Sequence, residues 1–297
     1  MFEDVNIING DSVSKTLSQD VPNIIRHGTP GDYSVVMTEQ ATEKWMFASS
    51  TPPPQFCMLL YGSDGTGKSG IVLSYPLVDD ELMLVVDLDG GCGPLLSKYH
   101  SAKLKNIVVV NPLSYVKNAE NGDVFVDYKL TLEKIKSAIL YVQRHHQDKK
   151  FKAVCFDGMS TLLKIAEYQM RSEKNVTPDG GMGQRYWIIR GKIFTEIIEQ
   201  IKALPIDKFF IAHENFMMPD ETSKKVSLVV AKANQMMFQK VRCERVDDGE
   251  SIVFTATVDK SKYNASLEGR SIDFLKVDKK SGALNWSGES VLERFRE

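Results

Sequence analysis

Residues Phe56 to Tyr75 read FCMLLYGSDGTGKSGIVLSY. The leading FCMLLY has the continuous apolar character of a strand buried on both faces. Gly62 to Ser69, GSDGTGKS, then satisfies G-x-x-x-x-G-K-[ST], and GIVLSY opens a helical segment, which are the two flanks that this motif requires. Gly62, Gly65 and Gly67 let the backbone turn its N–H groups inward. The stretch Gly62, Ser63, Asp64, Gly65, Thr66, Gly67, Lys68, Ser69, Gly70 is therefore expected to wrap a phosphate. Lys68 is expected to neutralise the β and γ phosphates of a nucleoside triphosphate, with Ser69 placed to ligand Mg²⁺. A glycine-rich turn with no ligand is the competing reading. Pro76 must end or kink the helix soon after it starts.

Outward from this loop, short apolar strands alternate with helical periodicity: LMLVVD ending at Asp87, NIVVVN from Asn106, KAVCFD ending at Asp157 and KFFIA from Lys208. That alternation predicts an α/β fold with a mostly parallel central sheet and helices on both faces. Leu132, Ile135, Ile139 and Val142 share one helix face, as do Ile193, Ile197, Ile201 and Leu204; both stripes are expected to pack on the sheet. After residue 240 the pattern turns to β, with VRCERV, a DDGE turn, SIVFTATV, RSIDFLKV and a DKKSGAL turn. These are expected to be antiparallel strands added at one edge of the sheet. Upstream, polar turns, one β-like run from Tyr33 to Met37 and the triple proline Pro52 to Pro54 mark residues 1–54 as an appendage to a core of residues 55–297.

The chain has 297 residues, 42% hydrophobic and 26% charged, which excludes a disordered or fibrous protein. Lys plus Arg number 37 against 39 Asp plus Glu, so a polyanion would need a local basic patch. Cys57, Cys92, Cys155 and Cys243 lack the paired spacing of a zinc site and are expected to be buried thiols in a reducing cytoplasm. The acidic start MFEDVNIINGDS does not resemble a signal peptide, and no apolar run reaches the roughly 18 residues of a membrane span. A soluble cytoplasmic protein with no membrane partner is the expectation.

Three acidic positions follow the loop. Asp157 ends a strand expected to lie beside the phosphate-loop strand, where an aspartate either binds Mg²⁺ through a water or caps the turn into DGMSTLL. Asp87 and Asp89, in LVVDLDGG, are two residues apart, so both carboxylates can approach one crevice and one of them can orient an attacking water; a plain Asp-Gly turn is the alternative. His213 and Glu214, in IAHEN, end the last parallel strand, from which a polar side chain can sense a γ phosphate; a surface-loop histidine with no task is the alternative. His27, His100, His145 and His146 show no ligand spacing.

In order and spacing these motifs resemble the RecA-like ATPase core, and more narrowly the small phage-encoded RecA-like ATPases of single-strand annealing and recombination. The resemblance spans Phe56 to about Asn285 and rests on GSDGTGKS, LVVDLDGGCGPLLSKYH and KAVCFDGMSTLL. It implies that Asp89 activates water, although the family usually has Glu there. It places His213 where a RecA glutamine couples the γ phosphate to a DNA-binding loop, and phage members often read AHE. In VDKSKYNASLEGRSIDF, Lys260 and Lys262 resemble the paired lysines that such filaments insert into a neighbour's ATP, against the alternative of a lysine-guarded edge strand.

Two segments resemble the family's DNA-facing loops. One runs from Arg171 through NVTPDGGMGQRYW and offers Arg185, Tyr186 and Trp187, against the alternative that Tyr186 and Trp187 pack at a helix start; the other, Asn215 to Arg245, carries Lys224, Lys225, Lys232, Lys240, Arg242 and Arg245. No base-reading motif is present, so backbone contact and stacking are expected. The resemblance thus implies an ATP- and Mg²⁺-dependent ATPase acting on single-stranded DNA in phage-type recombination, annealing or replication. Its implied partners are a homo-oligomer, ring or filament, and a single-strand DNA-binding protein, in a host cytoplasm. A P-loop kinase of a small substrate and an ATP-switched loader with little hydrolysis are the rival readings.

Overall fold

The computed structural model of the chain describes residues 25–27, 34–36, 55–117, 122–177, 180–181, 183–214 and 237–296. The chain divides into two units, Met1–Pro54 and Gln55–Glu297. In the first, β1 (Ile25–His27) and β2 (Ser34–Val36) pair antiparallel, Ile25 opposite Val36.

The second unit carries β3 (Cys57–Gly62), β4 (Leu82–Asp87), β5 (Ile107–Val110), β6 (Tyr115–Lys117), β7 (Val124–Val126), β8 (Phe151–Asp157), β9 (Asp207–His213), β10 (Gln239–Asp247), β11 (Ser251–Ser261), β12 (Ser271–Asp278) and β13 (Leu284–Trp286). Its helices are α1 (Lys68–Leu73), α2 (Cys92–Tyr99), α3 (Tyr128–His145), α4 (Met159–Glu173), α5 (Gln184–Lys202) and α6 (Gly288–Arg294). Among the described residues nine strands form one sheet in the order β13-β12-β11-β10-β3-β9-β8-β4-β5. From β5 to β10 every neighbour is parallel, and from β10 to β13 every neighbour is antiparallel. The fold is α/β with a mostly parallel central sheet and antiparallel strands at one edge.

Strand alternation splits the core in two. Val154 and Phe156 of β8 join Leu59, Tyr61 and the apolar stripes of α3, α4 and α5; Ala153 and Cys155 face the other way, with Met58, Leu60 and residues of α1, α2 and α6. The α3 stripe is buried throughout, while in the α5 stripe Ile193 is only half-buried and Leu204 falls just past the helix end. Asp127 caps α3, its Oδ1 accepting the Leu130 N–H at 2.9 Å. All four cysteines are free and buried. Among the described residues no helix is long and apolar enough to cross a membrane.

Two topological expectations are corrected. Asp157 does not end a strand beside the phosphate-loop strand, because β9, buried on both faces, lies between β3 and β8. The strands after residue 240 are not all antiparallel additions: β10 is parallel to β3, with Val241 opposite Leu60. The DDGE hairpin fixes only the β10–β11 direction. The other partner of β10 follows from the long connection after β9, which gives the chain length to cross over and re-enter the sheet in the same sense.

Candidate functional site

The site stands at the carboxyl ends of β3, β9, β8 and β4, the edge of a parallel sheet where ligands are bound. Gly62, Gly65 and Gly67 all have positive φ, at 148°, 69° and 80°. At Gly67 the requirement is double, since a Cβ would also lie 2.8 Å from the Phe274 ring. The loop therefore takes a shape that only this glycine spacing allows.

Lys68 is buried against its own loop: Nζ donates to Gly62 O (3.0 Å), Ser63 O (2.7 Å) and Thr66 Oγ1 (3.2 Å). Burial lowers its pKa against the opposing pull of nearby acidic groups, including Asp157, Asp64 and Asp89. Such an ammonium is held by weak neutral acceptors, and an anion entering the loop would be a stronger partner.

Ser69 Oγ donates to Asp157 Oδ2 at 2.6 Å although β3, which leads into the loop, and β8 are not neighbours, because the phosphate loop arches across the end of β9, where the Glu214 N–H donates to Gly62 O at 3.0 Å. The Cys92 thiol donates to the same Asp157 oxygen at 3.1 Å. Burial raises the Asp157 pKa; the two hydrogen bonds lower it, and the charges of Asp87 and Asp89 raise it further.

The two carboxylates of LVVDLDGG part company. Asp87, opposite Asp157 in the sheet register, accepts the Gly90 N–H (2.7 Å) and the Cys92 N–H (2.8 Å), so it closes the turn into α2. Asp89 reaches the crevice: Oδ1 accepts from Thr161 Oγ1 at 2.6 Å and Oδ2 pairs with His213 Nε2 at 2.9 Å. Gly158, φ 104°, makes this possible, because a Cβ there would stand 2.9 Å from Asp89 Oδ1. Burial raises the Asp89 pKa, but the hydrogen bonds from His213 and Thr161 outweigh it and leave a net lowering. The bond to Asp89 raises the His213 pKa, against burial and the charge of Lys68. His213 Nδ1 lies 2.5 Å from Asp64 Oδ1 but off hydrogen-bonding geometry, so Nδ1 has no hydrogen-bond partner.

Donor atoms of Asp87, Cys92 and Asp157 lie within 4.8 Å of one another. Both Asp87 oxygens are engaged by amides, and burial raises the Cys92 thiol pKa, which keeps it neutral. A hard cation such as Mg²⁺ is best suited by the oxygens of Ser69 and Asp157.

A cleft of about 520 Å³ is lined by Gly65–Gly70 and His213 and by the aromatic side chains of Tyr99, His100, Phe254 and Trp286. A larger trough of about 850 Å³ lies along α5 at Trp187, Ile188 and Lys192, but it is open to solvent and contains none of the groups above. The smaller cleft is the one with convergent polar chemistry.

The structure does not bring the other predicted residues to this site. Lys260 pairs in register with Lys240, which lies opposite Leu59, three residues before Gly62 and so about 10 Å down the strand from the loop. Lys262 follows β11, its Nζ 5.8 Å from the Phe238 ring centre. Nor is β11 an edge strand, since it lies between β10 and β12. Arg185 and Tyr186 occupy the first turn of α5, where the guanidinium lies 5.2 Å from the Tyr186 ring centre. Lys240, Arg242 and Arg245, expected on a loop, belong to β10, and Arg242 pairs with Glu244 and Asp259. Lys224, Lys225 and Lys232 lie outside the described residues.

Sequence reading missed Thr161, Cys92, His100 and Trp286. Cys92 is signalled weakly by its place just after DGG, but nothing local marks the other three. The chain matches no family model and no curated protein.

Proposed function

We propose that the protein is a RecA-like P-loop ATPase that binds Mg·ATP in this cleft and acts on single-stranded DNA in phage-type recombination, annealing or replication. The observation that carries the reading is the convergence of Lys68, the Ser69–Asp157 pair and the Asp89–His213 pair around one positive-φ glycine loop. In this reading the triphosphate replaces Gly62 O, Ser63 O and Thr66 Oγ1 as the partner of Lys68, and the loop amides hold its non-bridging oxygens. Ser69 and Asp157 are the residues that would hold Mg²⁺, which when bound would offset phosphate charge. Asp89 orients a water toward the γ phosphorus and takes its proton as the bond to ADP breaks. His213 then reports the presence of the γ phosphate through its bond to Asp89.

Support for a nucleic-acid surface is the exposed Arg185 and Trp187 on the first turn of α5. A role for Lys260 and Lys262 requires a second copy of the chain, and so a ring or filament, because they stand away from the phosphate loop of their own chain.

One observation favours a second reading, an ATP-switched loader that hydrolyses little. Asp89 is engaged by both Thr161 and His213, so a bound water must compete with two existing hydrogen bonds. ATP hydrolysis measured with and without single-stranded DNA, over a range of protein concentration, separates the two. The motor reading predicts turnover that rises with DNA and with concentration; binding without turnover under all conditions supports the loader.

A further inference from the structure

Two glycines clear the space that Trp286 occupies. A Cβ on Gly70 would come within 3.0 Å of its ring and one on Gly288 within 2.1 Å, so a side chain at either position would displace the indole. The ring is also fixed by Nε1, which donates to Glu289 Oε1 at 3.3 Å, and by edge contacts with Phe274 (centroids 5.9 Å, 89°) and His100 (5.7 Å, 73°). It nevertheless stays partly exposed and lines the cleft beside the phosphate loop. An aromatic side chain held rigid, half-open and packed on Gly70 at the end of the phosphate loop has the form of a stacking platform.

We propose that Trp286, with His100 beside it, is the nucleobase site of this cleft, and that it takes purines by stacking, accepting adenine and guanine nucleotides alike. This rests on the phosphate-loop reading above. Adenine and guanine differ only in hydrogen-bonding groups on the ring edge, so telling them apart requires fixed polar partners. Apart from the phosphate loop and His213, the other side chains that line the cleft are Leu95, Tyr99, Phe254, Leu275, Val277 and Leu284, of which Tyr99 alone is polar. Glu289 is engaged by the indole and does not line the cleft. Burial and the charge of Lys103 lower the His100 pKa, so the imidazole is neutral near pH 7. A neutral imidazole offers one donor and one acceptor and can serve either purine. Apolar pockets discriminate by factors of roughly 10 to 200, whereas dedicated buried hydrogen bonds reach roughly 10⁴.

The chain has three tryptophans, so Trp45→Phe with Trp187→Phe leaves Trp286 as the only indole. That protein is titrated with Mg·ATP, Mg·GTP and Mg·tripolyphosphate, following indole fluorescence and, in parallel, heat of binding. The proposal expects quenching by both nucleotides with dissociation constants within about two-hundredfold of each other, and heat without quenching from tripolyphosphate. Trp286→Ala should weaken ATP at least tenfold and leave tripolyphosphate unchanged, with Trp286→Phe restoring most of the loss. Tripolyphosphate heat without nucleotide quenching overturns the base site and leaves the phosphate loop standing. A larger ATP-to-GTP ratio overturns the shared use of the platform. No heat from any of the three ligands removes both readings.

Discussion

His213 Nε2 lies 2.9 Å from Asp89 Oδ2, a bond that links the end of β9 to the turn after β4 across the intervening strand β8. Each partner shifts the other: His213 titrates above its ordinary 6.5, chiefly through this bond, and Asp89 below its ordinary 3.8, where the bonds from His213 and Thr161 overcome burial. A raised histidine contributes stability in full below 6.5 and loses it as pH rises through the folded value. A lowered carboxylate contributes in full above 3.8 and loses it as pH falls through its folded value. The link is therefore complete between those two values. NMR titration of the His213 ring should give a pKa above 6.5 that falls on Asp89→Asn; an unchanged value in the variant would contradict the pairing.

Asp157→Asn separates metal binding from folding. The buried carboxylate has a raised pKa, so its ionised form costs stability as pH climbs above 3.8, while an amide keeps an acceptor for Ser69 and Cys92. Melting in EDTA at pH 7.5 is expected to be unchanged or higher than wild type. Mg²⁺-dependent hydrolysis should drop about a hundredfold or more, a loss of roughly 3 kcal/mol in transition-state stabilisation. A melting point lowered by the substitution would contradict a buried carboxylate whose ionised form costs stability.

At the opposite end of the sheet Asp207 joins three partners. It accepts the Phe56 N–H (2.9 Å) and the Tyr75 hydroxyl (2.7 Å), and it pairs with Arg296, which lies over the Phe56 and Tyr75 rings. Asp207→Ala leaves these donors unmatched and should cost about 2–3 kcal/mol, with nucleotide affinity unaffected. A melting point within 1 °C of wild type would rule out this clamp as a stabilising feature.

If Lys260 and Lys262 act on a neighbour's nucleotide, mixing Lys68→Ala subunits with Lys260→Ala/Lys262→Ala subunits should recover part of the hydrolysis that each lacks alone. Recovery should grow with total protein. Absence of recovery at saturating protein would remove the trans role and leave the two lysines as surface charges.

Single-strand affinity should fall steadily as salt rises, and Arg185→Glu should weaken binding and flatten that slope by about one counterion. Binding that ignores salt would argue against the α5 face as a nucleic-acid surface.

What could be read from sequence follows from locality. The strands FCMLLY, LMLVVD, KAVCFD and KFFIA are buried on both faces, so burial itself writes them as apolar runs. The phosphate loop is legible because glycine is required at set positions within eight residues. Strand order is not local, which is why β9 between β3 and β8 and the parallel entry of β10 went unread. The choice between Asp87 and Asp89 turned on the Gly90 and Cys92 amides and on Thr161, a contact 72 residues away in sequence. Trp286 meets Gly70 only after the whole sheet has assembled, and no spacing pattern announces such a contact.

The most direct test of the central claim is calorimetric titration of Mg·ATP into the wild-type chain and into Lys68→Ala. The account predicts a one-site isotherm for the wild type that is lost in the variant while its fold, judged by circular dichroism and melting, is retained. A flat wild-type titration, or equal affinity in the two proteins, would contradict it.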